Sequence, residues 1–317
     1  MKKINFLLLL MFFSMVASAQ NVVLPDETKA FYAAKRACNN AYTRYCNGTQ
    51  DEKTEKFKLV EQRMKDLQRM KSFSHSNCYQ AIYYDYARLL AEQGDYKKAI
   101  KYFDKAFYAK MMSAEEFSYG YVRAYFKNDT VLYQKKLSEY RKKEPMIYSY
   151  EENEIRKELY SWLQMDQLSI KLSDYWPLKS KEVEILAFKD SLLCLKIEEC
   201  EKKYPDVENI FGLDRWSSII ILRHLFSAHP EIWLEKWEPR DRQRVLDGNW
   251  MPEEYAYQYD FSIIRTGQGN SYYGEYTNCG ENANPDTALV DQHRADIGLP
   301  PLKEKAKDEM LHIHLVY

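Results

Sequence analysis

Residues Tyr83–Ala106 read YYDYARLLAEQGDYKKAIKYFDKA. Tyr83, Tyr86, Ala87 and Leu90 recur at helical spacing, which puts them on one face. Gly94-Asp95-Tyr96 then marks a turn, because glycine adopts the backbone of a tight reversal without steric cost. Past the turn, Ala99 and Ala106 are small enough to let a second helix approach the first closely. Ile100, Phe103 and Phe107 fill the groove between them. The stretch predicts two short helices folded back on each other. One such pair cannot bury its apolar face alone. Helical neighbours must flank it, and a mainly α fold of stacked helical hairpins follows.

The small and large positions of this unit, Tyr83, Tyr86, Ala87, Leu90, Ala99, Phe103 and Ala106, resemble a tetratricopeptide repeat. The resemblance implies that the first helices of successive hairpins line a groove that holds a protein or peptide partner. Tyr79, Tyr83, Tyr84 and Asp85 are candidates for that groove. Tyr83 is expected inside the repeat, whereas Tyr84 and Asp85 alternate with buried positions and are the predicted partner-binding residues. Ala114–Tyr140 continues the pattern with Phe117, Tyr121, Ala124 and Tyr125 and a turn at Asn128-Asp129. Tyr133 and Leu137 replace the small residues of its second helix, so it reads as a degenerate repeat.

Met1–Ala19 has the order of a signal peptide: Lys2-Lys3, an apolar run over Phe6–Met15, and Ala17-Ser18-Ala19 before Gln20. No cysteine follows that run at the place where a lipid would be attached. No later stretch is long and apolar enough to span a bilayer. The expectation is an exported protein, periplasmic or extracellular, with a helical domain over 20–178 and a second, mostly helical domain over 179–317. The formal net charge is −1. It offers no basic excess for nucleic-acid binding. Tyrosine is abundant, with 27 residues, and suits helix packing and binding grooves alike because its hydroxyl can stay wet at the edge of a core.

The six cysteines, Cys38, Cys46, Cys78, Cys194, Cys200 and Cys279, match no zinc spacing. In an oxidising compartment they could pair, Cys38 or Cys46 with Cys78 for example. Equally they could serve as free apolar thiols. No metal and no cofactor is expected. The chain has no phosphate-binding glycine loop, no Gly-x-Ser-x-Gly elbow and no HExxH string.

Pro25-Asp26 opens a helix that should stop at Asn47-Gly48, with Ala30, Phe31, Ala34, Ala37, Cys38, Ala41 and Tyr45 inward. Thr54–Lys71 predicts a second. Glu144-Pro145 predicts a break. Glu151–Leu172 is a helix with Ile155, Leu159, Trp162 and Leu163 inward, ended by Ser173–Pro177. Lys179–Tyr204 is another, and the domain boundary is expected in Pro177–Lys181. Asp214 reads as the cap of Arg215–Ala228. Further helices follow at Pro230, Arg240–Leu246, after Asn284-Pro285-Asp286, and at Leu302–Leu311, and Pro252–Ile264 reads as a helix or as a helix passing into a strand. One small β element is expected at Ser271–Thr277.

The segment from about Pro205 to Lys303 is similar to an uncharacterised bacterial domain family. The similarity rests on ILRH (Ile221–His224), on Tyr273-Gly274, and on VDQHRADIGLPPL (Val290–Leu302). Members carry Gln-His-Ala-Asp where this chain has Arg223-His224-Leu225-Phe226. They carry Asp-Arg at Asp260-Phe261 and Tyr-Gly-Thr-Gln at Tyr273–Tyr276, so polar residues are replaced at three places. The similarity implies no activity.

The polar residues most able to converge are His224, Asp260, Arg265, Tyr273, His293 and Arg294. His and Asp can move protons, and Arg can hold an anion. His224, Tyr273, His293 and Arg294 are therefore candidate catalytic residues for a small-molecule ligand. The competing assignment makes His224 a hydrogen-bonded core residue and has His293 and Arg294 cap a neighbouring helix. His312 and His314 form a weak metal-like pair.

Overall fold

Pro25 precedes a helix whose first turn carries Asp26 and Glu27 and whose last turn carries Arg44, charges that complement the helix dipole. The computed structural model describes residues 23–49, 51–173, 180–204, 215–276 and 287–304, with backbone alone for 168–173, 180–187, 215–220 and 223. In chain order the helices begin α1 (Asp26–Cys46), α2 (Lys53–Gln68), α3 (Asn77–Gln80), α4 (Ile82–Glu92), α5 (Tyr96–Tyr108), α6 (Ala114–Ser118), α7 (Gly120–Tyr125) and α8 (Thr130–Ile147). They continue with α9 (Tyr150–Ser173), α10 (Ser180–Lys203), α11 (Arg215–Ala228), α12 (Pro230–Ile232), α13 (Glu238–Leu246), α14 (Pro252–Arg265) and α15 (Thr287–Asp296). The fold is mainly α, and no strand occurs among the described residues. The chain divides into two compact units, residues 1–74 with 238–317, and residues 75–237. They part at those positions and not near 177–181.

In the first unit, α1 buries Phe31, Cys38, Ala41 and Tyr45, and α2 buries Val60, Met64 and Leu67. Phe31 stacks on Phe73 at 4.3 Å. Ala30, expected inward, is exposed, while Tyr32 and Lys35 are buried. The reason is long-range. The Tyr32 hydroxyl lies 2.5 Å from Val245 O and 2.8 Å from Trp250 O. Arg36 pairs with Glu253 and donates to Gly298 O at 3.1 Å. Leu24 N donates to Asp296 O at 2.8 Å. The start of α1 is thus held by the C-terminal segment. That segment has no strand at 271–276, which forms a series of bends, and α14 is helical throughout.

In the second unit, α4 and α5 form the predicted hairpin. Tyr86, Ala87, Leu90, Ala99, Phe103 and Ala106 are all buried. Gly94 has φ +81°, and Asp95 caps α5 by accepting from Lys98 N at 3.1 Å. Tyr83, expected inside, is only half-buried, at the edge beside Tyr79 and Tyr102. The next first helix is broken into α6 and α7 at Tyr119, which is extended (ψ 143°). The bulky residues of α8 are accommodated by ring packing: Phe117 stacks on Tyr133 at 5.2 Å and Phe107 on Tyr140 at 4.5 Å. The helix does not break at Pro145 but runs to Ile147. The proline forfeits the bond that an N–H at position 145 would make to Arg141 O, but only two helical residues follow it, so the loss stays at the helix end, and the Asn153 side-chain amide donates to Pro145 O at 3.2 Å. Ile155, Leu159, Trp162, Leu193, Ile197, Ile221 and Leu225 build a further core from α9, α10 and α11. Trp233 and Trp237, buried on a π-helical turn, close it with Phe226.

Cys38, Cys78 and Cys200 are buried, Cys194 is half-buried and Cys46 is exposed. Met1–Ala19, Asp174–Pro177, Asp214, Cys279, Asn284–Asp286, His312, His314 and most of Leu302–Leu311 lie outside the described residues.

Candidate functional site

Three polar constellations stand out, one in the first unit and two in the second. In the first unit, α14 delivers Asp260 to the inner side of the 271–276 bend, where its exposure is 0 %. Its carboxylate accepts from Tyr272 N (2.6 Å), Tyr273 N (2.9 Å), Glu275 N (2.7 Å) and the Ser271 hydroxyl (2.7 Å). Burial pushes the carboxyl above its ordinary value, while these donors favour the ionised form. Gly274, at φ +68°, completes the bend, and a Cβ there would meet Leu302 Cδ2 at 2.6 Å.

From α15, Arg294 (1 % exposed) straps the other side of the bend. It donates to Tyr273 O (2.7 Å), Glu275 Oε1 (2.7 Å) and Pro300 O (2.6 Å). His293 lies flat on Tyr272, with centroids 3.5 Å apart, and its Nδ1 faces Tyr272 O at 3.2 Å. Tyr273 is buried against Tyr255 and Tyr259, and burial pushes its phenol far up. The structure therefore brings Tyr273, His293 and Arg294 together around the 271–276 bend, where the Tyr273 backbone, His293 Nδ1 and the Arg294 guanidinium are engaged by the loop itself. Neither His293 nor Arg294 caps a helix C-terminus through these bonds. What they do is fix a bend.

His224 belongs to the second unit. Its Nδ1 lies 2.6 Å from Asp166 Oδ2, with the Asp166 side chain 0 % exposed and that of His224 38 % exposed. An ionised Asp166 accepts from Nδ1–H, which leaves the other ring nitrogen, Nε2, for another partner. That nitrogen has no partner among the described residues. Lys189 Nζ bridges Asp166 (3.2 Å) and Asp190 (2.9 Å), and His229 Nε2 approaches Asp190 at 3.7 Å. Burial works to raise the Asp166 pKa, but the hydrogen bonds and charges of His224 and Lys189 prevail and hold it below the ordinary carboxylate value. Asp166 falls four residues after Trp162, on the same inward stripe, and Asp190 three before Leu193 on the stripe of α10. Neither carboxylate was singled out in the sequence; a carboxylate on an apolar stripe is the signal that marks both. The set can hold and pass a proton. No group of three or more metal-ligating side chains occurs among the described residues.

The third constellation joins the first helices of the two hairpins. Tyr84 OH lies 3.1 Å from Tyr121 OH, and the Arg88 guanidinium sits 4.7 Å from the Tyr121 ring and 5.6 Å from that of Tyr84. Tyr121 is 44 % exposed. Asp85 is half-exposed and lies 3.9 Å from Arg88. Burial pushes the Tyr84 phenol well up, so it stays neutral. Arg88 was not singled out in the sequence; its place one turn after Tyr84 marks it.

No family model, curated protein or solved structure matches the chain.

Proposed function

We propose that this is an exported helical-repeat protein that binds a protein or peptide partner on the face made by Tyr84, Asp85, Arg88 and Tyr121. The observation that carries the reading is the Tyr84–Arg88–Tyr121 cluster at the surface. Tyrosine and arginine dominate the energetics of protein interfaces, because each offers a large, rigid contact area and a polar tip. Here the guanidinium lies against two rings, which limits the rotamer freedom lost on binding. The cluster spans α4 and α7, the first helices of successive hairpins, as a repeat-lined groove requires. Burial of all the small-residue positions of the 83–106 unit supports the tetratricopeptide-like reading. Export rests on the residue pattern of Met1–Ala19, and it predicts a mature chain that starts at Gln20, readable by mass spectrometry of the secreted protein.

The test is selection of a displayed peptide library on the mature chain. Peptides of micromolar affinity are expected, and Arg88→Ala or Tyr121→Ala should weaken them at least tenfold with the helical circular dichroism unchanged. Failure to enrich any peptide, or enriched peptides indifferent to both substitutions, would overturn the reading.

A second reading places a small ligand at His224, supported by an exposed imidazole oriented by a buried carboxylate. Tyr273, His293 and Arg294 have no part in it: the Tyr273 backbone, His293 Nδ1 and the Arg294 guanidinium hold the 271–276 bend. A ligand whose binding is lost in His224→Ala at unchanged melting temperature would support this reading. Parallel loss of stability and binding would return His224 to a structural role.

A further inference from the structure

The outer face of α5 carries Lys97, Lys101 and Lys105, all exposed and without an ion-pair partner among the described residues. At a helical rise of ~1.5 Å per residue they stand ~6 Å apart along ~12 Å of axis. Asp104, the acidic residue of α5, does not neutralise them, since Lys136 Nζ (3.0 Å) and the Tyr140 hydroxyl (2.9 Å) engage it.

Aromatic rings lie alongside. Lys105 Nζ is 4.7 Å from the Tyr102 ring and 5.3 Å from that of Tyr83. Lys98 Nζ is 5.3 Å from the Tyr86 ring and donates to its hydroxyl at 3.0 Å. A cation laid on a ring face is held by the ring quadrupole while its free N–H groups still point outward. Burial pushes the Tyr83 phenol up to about 12, so the ring stays neutral and does not supply the missing anion.

We propose that this stripe binds an extended acidic peptide segment whose carboxylates occupy alternate positions. Side chains on one side of an extended chain repeat every ~6.6 Å, two residues at ~3.3 Å each, which matches the lysine spacing. Tyr83 and Tyr102, half-buried beside the lysines, offer apolar rims to the intervening side chains. A single nucleic-acid strand has comparable charge spacing. The stripe would neutralise only about three phosphates, and the chain as a whole has a formal net charge of −1, so the peptide is favoured. The surface uses none of Tyr84, Arg88 or Tyr121, and it stands or falls independently of that face.

The experiment is fluorescence anisotropy of the mature chain with a labelled decapeptide carrying glutamate at alternate positions. The controls are its glutamine counterpart and a labelled oligothymidylate. Saturable binding of the acidic peptide is expected, at least tenfold tighter than the glutamine control and weakening steadily with added sodium chloride. Joint Lys97→Gln, Lys101→Gln and Lys105→Gln substitution should abolish it at unchanged circular dichroism, and Arg88→Ala should leave it intact. The proposal is overturned by absence of binding at low salt, by binding that survives the triple substitution, or by tighter binding of the oligothymidylate.

Discussion

His224 stands 58 positions from Asp166 in the chain, yet its Nδ1 lies 2.6 Å from the Asp166 carboxylate, which is closed to solvent. A buried carboxylate is tolerated only when hydrogen bonds and opposite charge replace its hydration. Here His224 and Lys189 do so from two other helices, α11 and α10. With Lys189, the pair therefore ties three helices together at one polar point beside an apolar core, and it leaves the imidazole partly exposed.

This arrangement makes stability depend on pH with a definite sign. The folded-state pKa of Asp166 is held below the ordinary value. Its contribution is fully present above the unfolded value of about 3.9 and is lost as pH falls through the lower folded value. Urea midpoints of the native chain and of Asp166→Asn should differ by a constant amount between pH 5 and 7 and converge below about pH 4. A difference that persists unchanged to pH 2 would show that the carboxylate charge is not what stabilises.

Asp260 accepts four strong hydrogen bonds from one short bend. Asp260→Asn keeps the shape but turns an NH2 toward backbone N–H groups, leaving donors facing donors. Bonds to a charged acceptor contribute roughly 1.5–3 kcal/mol each and are not additive, so a loss of about 3 kcal/mol or more is expected. Denaturant unfolding measures it; a loss under about 1 kcal/mol would mean that water replaces the carboxylate readily.

Arg294 serves three acceptors in three directions through Nε and Nη1. Lysine is a point donor and cannot reach all three from one position. Arg294→Lys should destabilise by about 2 kcal/mol or more and expose the tyrosines of the bend. Urea midpoints and tyrosine fluorescence quenching read both effects, and native behaviour in both would refute the strap.

Gly274 combines φ +68° with a Leu302 methyl 2.6 Å from where a Cβ would stand. Gly274→Ala should cost more than the ~1 kcal/mol of a left-handed alanine alone. The double variant with Leu302→Ala should recover part of the clash component, since it removes the methyls that collide. Equal costs in the two backgrounds would show that backbone strain, not contact, is the whole effect.

Of the helices, the sequence alone determined most. The hairpin of α4 and α5, the stop at Asn47-Gly48, the turn at Asn128-Asp129 and the helical content of the C-terminal segment were legible, because periodicity, capping and turn chemistry act over fewer than ten residues. Misreadings arose where a neighbour distant in sequence decided. Pro145 sits inside the last turn of a helix, Tyr83 at an edge, and Ser271–Tyr276 wraps a carboxylate instead of forming a strand. The candidate residues followed the same division. Tyr273, His293 and Arg294 were recognisable as polar residues among apolar ones, and so was His224, but not what each would touch. Only the tertiary structure paired His224 with Asp166, placed Asp260 under the bend, and set Tyr32 against Val245 and Trp250. Those contacts link residues 11 to 218 positions apart, and no local pattern encodes them. They are chosen because a buried polar group must find a partner wherever the packed core happens to offer one.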